Sequence, residues 1–284
     1  MHHTESIDEI RRQVASARAA GRRVVFVPTM GALHAGHLRL LDVAATHGEE
    51  IVLSIFVNPL QFAPHEDLAR YPRPLDRDLE LAAAHGATRC FLPATATMYP
   101  MGMRTTVRPG PVADRWEGAS RPGHFEGVLT VVAKLLHIVA PDVAIFGRKD
   151  IQQATLIRQM VLDLDLPVAI VVEPTVREPD GLALSSRNAF LSPAERTDAL
   201  AISTGLRAAR AAWEHGERSA SRLRAVIDAI LARVPAVVPD YIAIMEPEGL
   251  TPVERAPNGT IIAIAAQVGA TRLIDNTILG AEDV

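Results

Sequence analysis

Pro28-Thr29-Met30-Gly31-Ala32-Leu33-His34-Ala35-Gly36-His37 follows the β-branched and aromatic run Val24-Val25-Phe26-Val27 and precedes Leu38, Leu40, Leu41 and Ala44, apolar residues at helical spacing. The order is strand, tight turn, helix. Glycines at 31 and 36 let the backbone approach a ligand closely, and a helix beginning near Ala35 turns unpaired N–H groups and a positive dipole end toward the turn. Such an end attracts an anion. His34 and His37 stand three residues apart on one face of the first helical turn, where both imidazoles can donate hydrogen bonds to phosphate oxygens. Zinc would need further ligands that this stretch does not offer, so a nucleotide phosphate is the favoured partner.

Upstream, Ser6-Ile7-Asp8-Glu9 reads as a capping box opening a helix to about Gly21, and the polar, acidic N-terminus lacks the apolar core of a signal peptide. Downstream, Glu50 to Val57 is a nearly unbroken apolar run, as for a parallel strand covered on both faces, and Asn58-Pro59 ends it. The polar, proline-containing segment 60–74 lies past that strand's carboxyl end, where ligands bind in open α/β sheets. Further on come a helix at about 75–85, a strand at 88–92, an irregular stretch to Gly123 and a helix at 126–139, whose buried stripe is Val128, Val131, Val132, Leu135 and Leu136. A strand at 143–146, a helix from Ile151 and a strand at 168–172 complete the alternation, which predicts right-handed crossovers and a parallel sheet of the α/β class.

Beyond Glu173-Pro174 the polar, turn-forming run Arg177-Glu178-Pro179-Asp180-Gly181 marks a change of character, and the expected boundary between two domains lies near residue 175. Ser192-Pro193-Ala194-Glu195 combines an N-cap, a first-turn proline and an acidic third residue, so a helix runs from there to about Trp213. A second helix at about 219–233 and three short strands, 241–245, 261–266 and 271–275, predict a smaller α+β domain spanning 176–284. A chain of 284 residues is long enough for two such cores.

The net charge is −4 and the lysines and arginines are dispersed, which speaks against a nucleic-acid groove or an anionic membrane partner. The longest apolar stretch, Gly127 to Ala140, is broken by Lys134 and His137 and is too short to span a bilayer. Cys90, the single cysteine, can form no internal disulfide and reads as a small buried hydrophobe in a reducing, cytoplasmic setting.

Three later stretches can complete a site around the histidines. Phe146-Gly147-Arg148-Lys149-Asp150 is again a strand end before a helix: Lys149 can reach a phosphate as a point charge, and Asp150 either accepts ribose hydroxyls or merely caps its helix. Leu184-Ser185-Ser186-Arg187-Asn188 offers two hydroxyls and a guanidinium, a pyrophosphate cradle or an ordinary turn, on a loop able to close. Asn58, Gln61, Tyr71, Gln152 and Gln153 can fix a small polar substrate, Asp78 can hold magnesium through water, and His124 can orient a second substrate or cap a helix.

Pro28 to His37, Phe56-Val57-Asn58-Pro59-Leu60-Gln61-Phe62, Arg70-Tyr71-Pro72-Arg73, Arg121-Pro122-Gly123-His124-Phe125, Phe146 to Asp150 and Asp180 to Asn188 together resemble the pantothenate synthetase, or pantoate beta-alanine ligase, family. The resemblance runs in order over about 20–190. It implies a Rossmann-like nucleotidyltransferase domain with a smaller C-terminal lid, a homodimer, and a ligation dependent on magnesium and ATP. Pantoate would be adenylated with loss of pyrophosphate, and β-alanine would then displace AMP. By the same resemblance His34, His37, Lys149 and Arg187 are the catalytic set, and ATP meets these together with Met30, Gly147, Asp150, Val176, Ser185 and Ser186. Gln61 and Gln153 fall on the pantoate contacts and Asp78 on the metal position, although Arg77 replaces one of the family's two acidic residues there. Leu184 stands where methionine is usual. Two other readings predict different behaviour: an adenylylating enzyme with another acceptor, and a nucleotide sensor that binds ATP without turnover.

Overall fold

The first strand is one that the sequence pattern does not announce. In the computed structural model, which describes residues 1–64 and 66–281, the polar residues of β1 (His2–Thr4) pair in parallel with β4 (Arg89–Phe91) at the sheet's edge. A short polar strand is a suitable edge because it offers little to another sheet. Ser6 then caps α1 (Ile7–Ala19), its hydroxyl accepting from the Glu9 N–H at 3.3 Å. β2 (Val24–Thr29) follows as expected, then α2 (Ala35–His47), β3 (Glu50–Ile55), α3 (Leu75–Ala84) and β4. The irregular stretch that follows contains two single-turn helices, α4 (Thr95–Met98) and α5 (Glu117–Ser120). Beyond it lie α6 (His124–Val139), β5 (Val143–Gly147), α7 (Ile151–Asp163) and β6 (Ala169–Glu173).

These six strands form one parallel sheet in the order β1-β4-β3-β2-β5-β6. After β2 the chain builds outward on one side through β3 and β4, then returns to the other side with β5. The direction therefore reverses between β2 and β5, and a crevice opens there at the strands' carboxyl ends. Period-two alternation divides each central strand between two cores. Phe26 and Val52 face α1, α6 and α7, while Val25, Val27 and Leu53 face α2 and α3.

A second sheet carries the rest. α8 (Pro193–Glu214) opens with a complete capping box, Ser192 Oγ accepting from Glu195 N–H and Glu195 Oε2 from Ser192 N–H. After α9 (Ala220–Leu231), the strands β7 (Val237–Met245), β8 (Ile261–Val268) and β9 (Thr271–Ile278) pair antiparallel in sequence order. One face of this sheet packs under α8 and α9. The other, with Ala243, Met245 and Ala263, meets Val112, Trp116 and Ile151 of the first sheet's layer. Coverage on both faces explains why β8 is apolar nearly throughout. Trp116 also donates its indole N–H to Leu250 O at 3.0 Å, tying the two layers together. Among the described residues no helix is long and apolar enough to cross a membrane.

Gly127 sets how closely α6 approaches the turn at 59–61. A Cβ there would sit 2.3 Å from Leu60 O and 2.8 Å from Gln61 N, and backbone atoms cannot step aside as a flexible side chain would. Helix propensity alone favours alanine at an interior position by about 1 kcal/mol. We expect Gly127→Ala instead to lose about 1–3 kcal/mol of stability in urea denaturation, as overpacking does. A gain in stability would show that the contact is looser than described.

Candidate active site

The turn after β2 is bent by two successive left-handed residues, Gly31 at φ +82° and Ala32 at φ +52°. A Cβ on Gly31 would lie 2.9 Å from Ile55 Cγ2, so both conformation and space demand glycine. Ala32 adopts the same region at a cost of about 1–2 kcal/mol. Asp78 holds it there: Oδ2 accepts from Ala32 N–H at 2.7 Å and Oδ1 from Leu33 N–H at 2.8 Å. The residue expected at the metal position thus has a structural role in the turn. Asp78 is 1 % exposed, and its two oxygens are committed to the strained turn. Among the described residues no group of three or more His, Cys, Asp or Glu is arranged to hold a metal ion. A magnesium ion here would therefore draw most of its ligands from water and the substrate phosphates.

Beyond the turn, His34 is the N-cap of α2, and its Nδ1 accepts from Gly36 N–H at 3.1 Å. His37 reaches back reciprocally, its Nδ1 accepting from His34 N–H at 3.4 Å. A Cβ on Gly36 would lie 2.9 Å from the His34 ring, so glycine makes room for this cap. An Nδ1 that accepts carries no proton, which assigns the neutral ring's hydrogen to Nε2 in both residues. Burial, with Lys149 nearby, pushes the His34 pKa down to about 4; burial, then His34 and Lys149, push that of His37 down to about 3. At neutral pH both are uncharged donors, their ring centres 4.1 Å apart.

β5 lies next to β2, so its carboxyl end brings Gly147, Lys149 and Asp150 to the same crevice. Asp150 is the N-cap residue of α7, yet its side chain makes no capping bond, and its Oδ2 lies 4.0 Å from Lys149 Nζ. The capping alternative for Asp150 is thereby set aside. From the far side Val176 and the loop Ser185-Ser186-Arg187 close the crevice. Ser185 accepts from Arg187 N–H at 3.2 Å, and Asn188 braces the loop by donating to Glu178 Oε1 and Ala183 O.

The other wall is built around Gln61. Its Oε1 accepts from Asn58 Nδ2 at 3.0 Å, its Nε2 meets Met30 Sδ at 3.3 Å, and its carbonyl accepts from His124 Nδ1 at 2.9 Å and Arg121 at 3.2 Å. Burial and Arg121 push the His124 pKa down to about 4, so this ring too is neutral. Arg121 in turn grips Glu66 through two bonds of 2.6 and 2.7 Å. Gln153 lines the crevice, whereas its neighbour Gln152 is buried and spends its amide on Val112 O, Arg115 O and Glu117 N–H.

Every expected site residue except Asp78 and Gln152 thus borders one cleft of about 230 Å³. The sequence reading missed a floor: Val128, Val131 and Val132 of α6, taken only as core, line the cleft as well. Arg121 was noticed only as part of a motif. Its charge in a Pro-Gly turn next to a histidine was the available signal.

Comparisons with known proteins agree with this arrangement. The sequence profile of the family Pantoate-beta-alanine ligase matches residues 2–278. The chain belongs to the pantoate-beta-alanine ligase family. It is accordingly a ligase that joins pantoate to β-alanine. The chain is 49 % identical to the pantothenate synthetase of Geobacter sulfurreducens over 282 residues, 99 % of this chain and all of that one. It superposes on a pantothenate synthetase structure from Thermus thermophilus with a TM-score of 0.93 at 44 % identity, covering 98 % of this chain and 99 % of the other. It is also similar to the pantoate-beta-alanine ligase of Francisella tularensis, solved in complex with Beta-gamma ATP and β-alanine, with a TM-score of 0.82 at 33 % identity over the full length of both chains.

The two roles for Asp78 separate in one variant. Asp78→Asn turns an amide N–H toward a backbone N–H, and we expect it to lose about 1–3 kcal/mol in urea denaturation. The magnesium dependence of its remaining activity should match the parent's. A changed magnesium dependence with unchanged stability would instead favour the metal role.

Proposed function

We propose that this ligase works in two steps at the cleft between β2 and β5, adenylating pantoate with ATP and then passing the pantoyl group to β-alanine. In the first step a pantoate carboxylate oxygen attacks the α-phosphorus of ATP and pyrophosphate leaves. In the second the β-alanine amine attacks the acyl carbon, AMP departs and the amide remains. The carboxylate is already ionised, so the first step needs no general base. Its barrier comes from bringing two anions together and holding them in line.

The observation that carries this reading is the pair of uncharged Nε2–H donors beside Lys149. Neutral imidazoles donate to a phosphate without the acidic second proton of an imidazolium, and Lys149 supplies the positive charge that the two rings lack. Arg187, Ser185 and Ser186 would bind the departing pyrophosphate from the opposite side, with Met30, Gly147, Asp150 and Val176 against the nucleoside. Gln61 and Gln153 would hold pantoate by uncharged hydrogen bonds, leaving its carboxylate free to react. Closure of the cleft would keep water from the mixed anhydride. Magnesium, in this account, arrives on the triphosphate. The reading also takes the chain as a homodimer in the cytoplasm, divided near residue 175 into a nucleotide- and pantoate-binding part and a lid. A reducing setting agrees with Cys90, which is fully buried, its thiol pushed up to about 12 by burial.

The test uses purified protein, ATP, pantoate and labelled pyrophosphate. Exchange of label into ATP should require pantoate, and adding β-alanine should yield AMP and the amide. His37→Ala should lower exchange about 10²–10³-fold, the usual loss for one transition-state donor, with the fold intact by circular dichroism. Pantoate-independent exchange, or near-parental exchange in His37→Ala, would overturn the proposal.

A further inference from the structure

The turn bearing Lys149 is held from the second sheet. Asn276, on β9 and 1 % exposed, donates from Nδ2 to Arg148 O at 3.0 Å and to Lys149 O at 2.9 Å. Its own Oδ1 is buried without a partner. A buried carbonyl left without a partner is destabilising, so stability alone would not favour asparagine at this position. Its neighbour Asp275, likewise buried, grips Arg177 through bonds of 2.6 and 3.0 Å and accepts from Asn276 N–H at 2.7 Å. Arg177 then donates to Gly181 O at 3.2 Å and pairs through its backbone with Ala183, two residues before Ser185. One dipeptide therefore touches the lysine turn on one side of the cleft and the root of the serine-arginine loop on the other.

We propose that Asp275-Asn276 is the positioning element of the phosphate site, Asn276 fixing the lysine turn by clasping two successive carbonyls and Asp275 anchoring the closing loop through Arg177. The proposal rests on Lys149 acting at the phosphates. Lysine reaches its target on a flexible four-carbon stem, so the precision of the ammonium is set by the backbone beneath it. A misplacement of about 1 Å costs on the order of 10²-fold in rate. Docking of the second sheet is then a condition for a competent phosphate site as well as a cover for it.

A double-mutant cycle in full-length protein separates positioning from mere stabilisation. Asn276→Ala, Lys149→Ala and the pair are compared by pantoate-dependent ATP–pyrophosphate exchange at saturating substrates, by the KM for pantoate and by thermal melting. Asn276→Ala should lower exchange kcat roughly 10- to 100-fold with the pantoate KM little changed, and its effect should shrink to about 3-fold or less when Lys149 is already alanine. Paired instead with Gln61→Ala, it should retain its full effect. If Asn276→Ala fails to fold, Asn276→Ser, which keeps one donor, carries the same cycle with an intermediate loss. An undiminished effect in the Lys149→Ala background, or a lowered melting temperature with exchange unchanged, would overturn the proposal. Parental exchange in Lys149→Ala alone would instead remove the assignment of Lys149 on which it rests.

Discussion

Two backbone N–H groups, those of Gly36 and His34, decide what the imidazoles of this site can do. By donating to the Nδ1 atoms of His34 and His37, they cap α2 and confine each ring's proton to Nε2. The same bonds disfavour protonation, because an imidazolium would lose the acceptor that the cap requires. Burial and the neighbouring Lys149 act in the same direction. Helix initiation and donor chemistry are thus one structural event. A side chain that replaced either ring would have to satisfy the helix end as well as meet a phosphate.

The rest of the structure serves that arrangement. Reversal of strand order between β2 and β5 opens the crevice, and the parallel sheet sets the histidine turn beside the lysine turn although more than a hundred residues separate them. The turn itself is strained at Ala32, and a buried carboxylate from α3 offsets that strain. Strain kept by an over-determined surrounding is common where a backbone must meet a ligand. Ion pairs continue the enclosure beyond the cleft. Arg121 reaches Glu117, Glu117 accepts from Arg272 at 2.7 Å, and Arg272 also reaches Asp240, so the second sheet is joined to the first along the cleft's outer edge.

Local signals made most of this legible in the sequence. The histidine turn, the apolar run of β3 and the capping box of α8 each act over a few residues, and each element formed where its pattern lay. β1 escaped notice because three polar residues carry no pattern; the strand exists through its pairing with Arg89–Phe91. β7 begins at Val237, earlier than the expected start at 241, because a register shift between Pro239 and Tyr241 lets pairing with β8 continue past the proline. The structural role of Asp78 was hidden for a related reason. A sequence displays a carboxylate's charge and not its partners, and these lie 45 and 46 residues away. Asn276 gave no signal at all, since its contacts are with carbonyls 127 and 128 residues distant.

The central claim is that neutral imidazoles, fixed as Nε2–H tautomers by the backbone, face the phosphates. Nitrogen-15 NMR of side-chain-labelled histidine, with His34→Asn and His37→Asn used for assignment, tests it most directly. At neutral pH, with and without ATP, both residues should show an unprotonated Nδ1 and a protonated Nε2, and ATP should shift the Nε2–H signals of both. Imidazolium signals at neutral pH, an Nδ1–H tautomer, or Nε2–H signals that ignore ATP would contradict the account.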